Sequence, residues 1–188
     1  MPRLFISIPI PQNIRWTLAA IAEEDLPRLP LGSRVTPSGQ IHLTLLFLGE
    51  VAEKYQARII EIARGVVGAL PAPQIIIDRL SYGPGPVNPR MLWAVIKPES
   101  EQALGVISVA LVKKLENEGI PFFIETGRAF RGHVTLVRFP EGGVGTLPEL
   151  DDRLDFKFVA VRAELVRSTL LGGGPVYEIV DSFGFLGR

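Results

Sequence analysis

The sequence predicts an α+β fold made of two strand-rich halves. Strand and helix periodicities alternate as far as residue 119, and from residue 129 onward only strand patterns occur. The 188 residues are 47% hydrophobic, which is enough for a substantial core, and no stretch has the composition of a disordered linker. We therefore expect a single domain spanning residues 1–188, with a compact interface between its halves.

Each element has a local signal in the sequence. Apolar residues at helical spacing predict two helices in the first 70 residues, and a third helix at 100–119 has Ser100 as its N-cap and Gly119 as its stop. Period-two patterns between glycine and proline turns predict the strands, with PGPVNP and GGGP as hairpin connections. The predicted strands are 3–9, 40–49, 73–83, 90–98, 131–139, a continuous strand at 156–171, and 176–186.

Composition limits the possible functions. Twenty Lys and Arg balance twenty Asp and Glu, so the chain as a whole does not attract long polyanions, and any phosphate binding must be local. The absence of cysteine excludes disulfides and thiolate metal sites. No signal-peptide cleavage site follows the N-terminal strand, and no apolar stretch approaches the roughly 18 residues that span a bilayer. We expect a soluble, cytoplasmic protein with no membrane partner.

The chain has two histidines, and both begin an H-x-T motif. His42 precedes Thr44 in QIHLTLLFLGE, and His133 precedes Thr135 in RGHVTLVRF. Residues i and i+2 of a strand project from the same face, so each imidazole shares a surface with a hydroxyl. A single histidine on an apolar strand is usually structural, and it is the repetition of the motif that favours a functional site.

Two such motifs suit acid–base chemistry on a phosphodiester. Imidazoles with an ordinary pKa of about 6.5 can be one protonated and one neutral, which provides a general acid and a general base for an in-line displacement. The threonine hydroxyls would donate to the non-bridging oxygens. Catalytic zinc takes about three protein ligands, whereas this chain has no third histidine and no carboxylate in a recognisable spacing. We expect no metal or other cofactor and a strained 2',3'-cyclic phosphate of RNA as substrate.

The motifs and their order resemble the LigT-like RNA 2',3'-cyclic phosphodiesterases, once named 2'-5' RNA ligases, of the two-histidine phosphoesterase superfamily. The resemblance covers nearly the whole chain, through RLFISIPIP, IHLTLLFLGEV, PRMLWAVI, RAFRGHVTLVRF and STLLGGGPVYEIV. It implies a bilobal α+β fold with two pseudo-symmetric lobes, each with a largely antiparallel sheet and flanking helices, and a central cleft lined by both motifs. It also implies that His42 protonates the leaving 3'-oxygen and that His133 activates water, which gives an RNA 2'-phosphate.

The chain departs from the family pattern at two positions, with Gly132 where the family usually has Pro and Leu46 where it usually has Lys. Arginines near the second motif are candidates to bind the phosphate instead, because a guanidinium fork matches phosphate geometry. These candidates are Arg138, Arg131 and Arg128, and a solvated rim is the alternative for the last two.

Phenylalanines also lie close to the motifs in the sequence. Phe47, Phe130 and Phe139 could stack on a base of single-stranded RNA, although we expect core packing for at least two of them.

The expected partner is an RNA with a 2',3'-cyclic phosphate end, with tRNA fragments among the candidates, and we expect a monomer. A 5'-hydroxyl in place of water would form a 2'-5' linkage without ATP. Two alternatives remain open at this point. The same chemistry could act on a small cyclic phosphate of a nucleotide or ADP-ribose, or the chain could be a non-catalytic module that binds RNA ends without turnover.

Overall fold

The structure is a computed structural model that describes residues 3–85, 87–123, 130–141, 145–150, 153–172 and 174–187. Within these ranges the chain forms three α-helices and one antiparallel sheet of nine strands, so the predicted α+β class is confirmed. The helices are α1 Gln12–Asp25, α2 Gln56–Gly68 and α3 Pro98–Asn117. The strands are β1 Arg3–Pro9, β2 Arg34–Val35, β3 His42–Glu50, β4 Gln74–Gly83, β5 Met91–Ile96, β6 His133–Arg138, β7 Arg153–Val159, β8 Arg162–Leu171 and β9 Gly174–Gly184.

The strand order divides the sheet into two halves that meet at β3 and β6. One half runs β3-β1-β8-β9, and the other runs β6-β5-β4-β7, with the short β2 also paired to β6. Each half carries one H-x-T motif. The halves are not contiguous in the chain, however, because β8 and β9 from the C-terminal part join the half that contains His42. The ladder between β3 and β6 makes the two halves one continuous sheet.

Side chains alternate between the two faces of this sheet. Leu4, Ile6 and Ile8 of β1 point towards the core and are almost completely buried. Helix α2 packs against α3 and β9, α3 also packs against β3, and α1 lies beside β2 and β6. The residues between the core positions therefore project from the opposite face, where both histidines lie.

The helices follow the sequence prediction with one correction. Ser100 is not an N-cap, because α3 begins at Pro98, whose fixed φ suits the first helical turn. The buried Ser100 hydroxyl instead donates to the carbonyl of Gln74 and accepts from the N–H of Ile76, which ties α3 to β4. Gly119 does end the helix, with a φ of +63°. No helix in the described ranges is long and apolar enough to cross a membrane.

The continuous strand predicted at 156–171 was wrong, because two strands occupy this segment. β7 ends at Val159 and β8 begins at Arg162, and the two strands lie in different halves of the sheet. The buried Ala160 between them donates its N–H to the carbonyl of Pro73. Strand propensity is the same on both sides of this break, so the apolar pattern alone does not reveal the change of partner. The last hairpin is confirmed, with β8 and β9 paired as far as Leu171 and Gly174.

Gly83 makes room for the indole ring of Trp93, and this fit generates a testable prediction. A Cβ added at Gly83 would lie 2.3 Å from ring carbons of Trp93, a residue that is only 5% exposed. We expect Gly83→Ala to lower the free energy of unfolding by about 1–3 kcal/mol through overpacking, as measured by chemical denaturation. Gly85→Ala is the matched control, because nothing lies within 4 Å of its Cβ position, and it should stay within about 0.5 kcal/mol of the parent. Equal stability of the two variants would contradict the tight fit.

Candidate active site

The two H-x-T motifs meet where β3 pairs with β6. Leu43 lies opposite Val134 in the ladder, and both side chains are fully buried on the core face. The residues on either side of this pair therefore point to the other face, and extending the antiparallel register by one position sets each histidine opposite the threonine of the other motif. All four residues line one cavity of about 470 Å³: His42, Thr44, His133 and Thr135.

Each imidazole is oriented by a backbone carbonyl two residues earlier. His42 Nδ1 is 2.7 Å from the carbonyl oxygen of Gln40, and His133 Nδ1 is 2.8 Å from that of Arg131. A carbonyl oxygen only accepts, so both Nδ1 atoms carry the proton and donate it. This leaves Nε2 of each ring to exchange protons with a substrate. The Thr44 hydroxyl lies 3.2 Å from Nε2 of His42, within the same cavity.

Each imidazole also stacks on an aromatic ring from the adjacent strand. The Phe5 ring of β1 lies 4.9 Å from the His42 ring at an interplanar angle of 26°, and the Trp93 ring of β5 lies 3.8 Å from the His133 ring at 23°. The Tyr177 ring of β9 meets His42 edge-on at 5.3 Å. The aromatic rings thus fix the imidazole planes and exclude water from one side of each.

Burial lowers the pKa of both histidines. Desolvation of the imidazolium is the largest cause, and nearby positive charge adds to it, from Arg138 in both cases and also from Arg131 at His133. The hydrogen bonds from Nδ1 to the carbonyl oxygens act in the opposite direction, and so does a carboxylate near each ring. The lowered pKa values favour the neutral form of both imidazoles.

Two arginines supply positive charge to the cavity. Arg34 and Arg138 both line the cavity, and they are paired with each other in the β2–β6 ladder. Neither arginine forms an ion pair with another described residue. Nη1 of Arg138 is 3.5 Å from the sulfur of Met91. Sequence reasoning missed Arg34, because it stands in a Pro/Gly/Ser-rich segment without a motif. Across the described ranges, no three His, Asp or Glu residues are grouped so as to hold a metal ion.

The structure places Arg131 beside the cavity and not in it. Its guanidinium donates to the carbonyl oxygen of Pro84 at 3.0 Å and lines a neighbouring depression with Tyr82. Its backbone carbonyl accepts the hydrogen bond from His133, and its charge contributes to the lowered pKa of that histidine. Arg128 lies outside the described residues.

The structure shows the surroundings of the two positions that depart from the family pattern, Gly132 and Leu46. The N–H of Gly132 donates to Oε1 of Glu101 at 3.0 Å, a bond that proline could not make. A Cβ at Gly132 would also lie 2.2 Å from Cδ1 of Ile96. Leu46 packs half-buried against the core, and the positive charge that lines the cavity belongs to Arg34 and Arg138.

Of the three phenylalanines named from the sequence, one reaches the cavity. Phe47 is 44% exposed and lines it, whereas Phe139 is buried and Phe130 packs against the core. The expectation that at least two belong to the core is confirmed. Phe5 and Trp93, which support the histidines, were missed because a buried aromatic residue in an apolar strand looks the same whichever face it occupies.

Comparisons with known proteins identify relatives of this chain. The family model for LigT-like phosphoesterases matches residues 8–93, which include the first motif. An RNA 2',3'-cyclic phosphodiesterase of Archaeoglobus fulgidus is 30% identical over 188 residues, with 96% of this chain and 99% of that protein covered. One of Thermus thermophilus is 29% identical, with 99% and 91% covered.

A solved structure extends the likeness to the fold. The crystal structure of TT0787 of Thermus thermophilus superposes with a TM-score of 0.81 and 26% identity over 99% of each chain. The fold is therefore shared over almost the whole of both chains. This chain has paired H-x-T strands, and it is 30% identical to a relative over almost the whole length of both proteins. It therefore belongs to the LigT-like phosphoesterase family of enzymes.

Proposed function

We propose that this phosphoesterase opens RNA 2',3'-cyclic phosphate ends to 2'-phosphates without a metal ion. The observation that carries the proposal is the pair of imidazoles on one cavity, each with Nδ1 bound to a carbonyl oxygen and Nε2 left for proton transfer. Relatives at 29% and 30% identity that bear the name RNA 2',3'-cyclic phosphodiesterase support the substrate class.

The reaction assigns one proton transfer to each histidine. Neutral His133 accepts a proton at Nε2 from a water that attacks phosphorus opposite the 3'-oxygen. As the bond from phosphorus to the 3'-oxygen breaks, protonated His42 donates its Nε2 proton to that oxygen. The product carries a 2'-phosphate and a free 3'-hydroxyl. The two histidines have then exchanged protonation states, and exchange with solvent restores them.

Charge complementarity supports this assignment. The cyclic phosphate carries one negative charge, which favours an imidazolium beside it and so offsets the effect of burial on one histidine. The hydroxyls of Thr44 and Thr135 and the guanidiniums of Arg34 and Arg138 line the same cavity, where they can stabilise the charge that grows on the non-bridging oxygens.

The same chemistry accommodates ligation. A 5'-hydroxyl of a second RNA in place of water would leave a 2'-5' linkage, with the opening of the strained ring replacing ATP as the driving force. Incubation with a 5'-hydroxyl RNA at high concentration and analysis of the linkage tests this part separately from hydrolysis.

Removal of either histidine should abolish most of the activity. We expect His42→Ala and His133→Ala each to reduce kcat by at least about 100-fold, because each variant lacks one proton-transfer group. The assay is hydrolysis of a short RNA with a 2',3'-cyclic phosphate end in excess chelator, with the position of the product phosphate determined.

Lys113→Ala, on the exposed surface of α3, is the control and should match the parent. Histidine variants as fast as the parent would overturn the catalytic assignment, and activity of the parent that disappears with chelator would overturn metal independence. Binding of the RNA by the parent without any turnover would favour a non-catalytic RNA-end-binding module.

The pKa shifts predict the pH dependence. The acid limb of kcat/KM reports protonation of His133, and the alkaline limb reports deprotonation of His42 in the free enzyme. Because burial lowers the pKa of both, the maximum of kcat/KM should lie below about pH 6.5. The bound anion favours the imidazolium, so the profile of kcat should be displaced to higher pH. Rates measured from pH 5 to 9 at constant ionic strength test both statements. A kcat/KM maximum above about pH 7.5 would contradict the effect of burial, and a kcat profile that is not displaced to higher pH would contradict the effect of the bound anion.

A further inference from the structure

A second cavity adjoins the one that holds the H-x-T motifs. It has a volume of about 430 Å³ and shares Phe5, Gln40, His42 and Tyr177 with the first. We call this second cavity the side pocket. Five of the residues that line it and do not line the first cavity are Arg15, Arg162, Glu164, Val166 and Ile179.

In-line displacement sets the direction in which the substrate extends from the phosphate. The attacking water and the leaving 3'-oxygen lie on opposite sides of phosphorus. The 3'-oxygen belongs to the ribose, so the ribose lies on the side of the histidine that protonates it, His42. The side pocket begins at His42 and leads away from His133, which lines only the first cavity. The nucleoside therefore points towards the side pocket.

The strand register places a carboxylate within reach of such a nucleoside. Ser7 of β1 pairs with Thr44 on one side and with Glu164 on the other, so all three side chains project from the same face of the sheet. Glu164 is thus two strand spacings, roughly 9.6 Å, from the threonine that faces the phosphate. A nucleoside bridges this distance.

The state of Glu164 indicates a ligand-binding role. The residue is only 6% exposed, and its one hydrogen bond among the described residues joins Oε1 to Nε of Arg162 at 2.8 Å. A largely buried carboxylate needs hydrogen-bond donors for both of its oxygens. Its other oxygen is left to accept from a group that enters the pocket. Arg15 also lines the side pocket, and its Nε has no hydrogen-bond partner among the described residues, so positive charge accompanies the carboxylate there.

We propose that the side pocket binds the nucleoside of the cyclic-phosphate end and that Glu164 selects bases that carry an amino group. A carboxylate only accepts hydrogen bonds, which matches the exocyclic amino groups of guanine, adenine and cytosine. Uracil presents two carbonyl oxygens on either side of its single N–H, and these repel a carboxylate. Val166, Ile179 and the ring of Tyr177 supply the apolar surface that holds a base. This inference rests on the proposed function for the direction of the ribose.

The test compares four bases in the parent and in Glu164→Gln. The readouts are kcat/KM for the four 2',3'-cyclic mononucleotides and, independently of turnover, Kd for the four 2'-nucleoside monophosphates. We expect the parent to disfavour uridine by about tenfold or more against the other three, which is the scale of one lost base contact. In Glu164→Gln the difference should shrink to within about threefold, because an amide donates to a carbonyl oxygen as well as accepting from an amino group.

Glu178→Gln is the matched control, an exposed glutamate of β9 that lines neither cavity, and it should keep the preference of the parent. A second variant, Ile179→Trp, fills the side pocket from an exposed position and should weaken binding of all four 2'-nucleotides while the Kd of inorganic phosphate is unchanged.

Equal treatment of the four bases by the parent, or the same preference in Glu164→Gln, would overturn the inference while leaving the proposed function intact. Failure of the parent to hydrolyse any cyclic nucleotide or RNA end would instead overturn the proposed function, and the 2'-nucleotide affinities would still decide whether Glu164 selects the base.

Discussion

The pairing of Leu43 with Val134 is the contact on which the site depends. Within the described ranges it is the ladder contact that joins the two halves of the sheet. Both side chains are drawn into the core by their apolar surface, and the alternation of a strand then forces their neighbours to the opposite face. Hydrophobic burial between the motifs therefore determines how far apart the two imidazoles lie.

The two histidines are held by the same kinds of contact. In each half, a carbonyl two residues earlier fixes the tautomer, and an aromatic ring from the next strand lies against the imidazole. The surroundings then differ, because the threonine of the first motif contacts His42 whereas Thr135 lies near the sulfur of Met91. Similar supports thus hold two proton carriers, and burial lowers the pKa of both.

Local charge compensates for the lack of net charge. The chain has a formal net charge of +0, yet Arg34 and Arg138 lie side by side on the cavity without carboxylate partners in the described part of the chain. A phosphate at this position meets positive charge at short range, where screening by salt is weakest. That phosphate binding is local stays a prediction, and these two arginines are the positive charge that it would use.

The α+β class and the shared face of each histidine and threonine were predictable from the sequence, because periodicity and the i, i+2 relation are properties of a single element. The resemblance to the family came from the motifs and their order. Which strands are neighbours became clear from the folded chain alone. The tertiary structure divided 156–171 between two halves of the sheet, brought Arg34 to the cavity and turned the guanidinium of Arg131 towards Pro84. These outcomes depend on contacts between residues far apart in the chain, and no local pattern encodes the choice of partner.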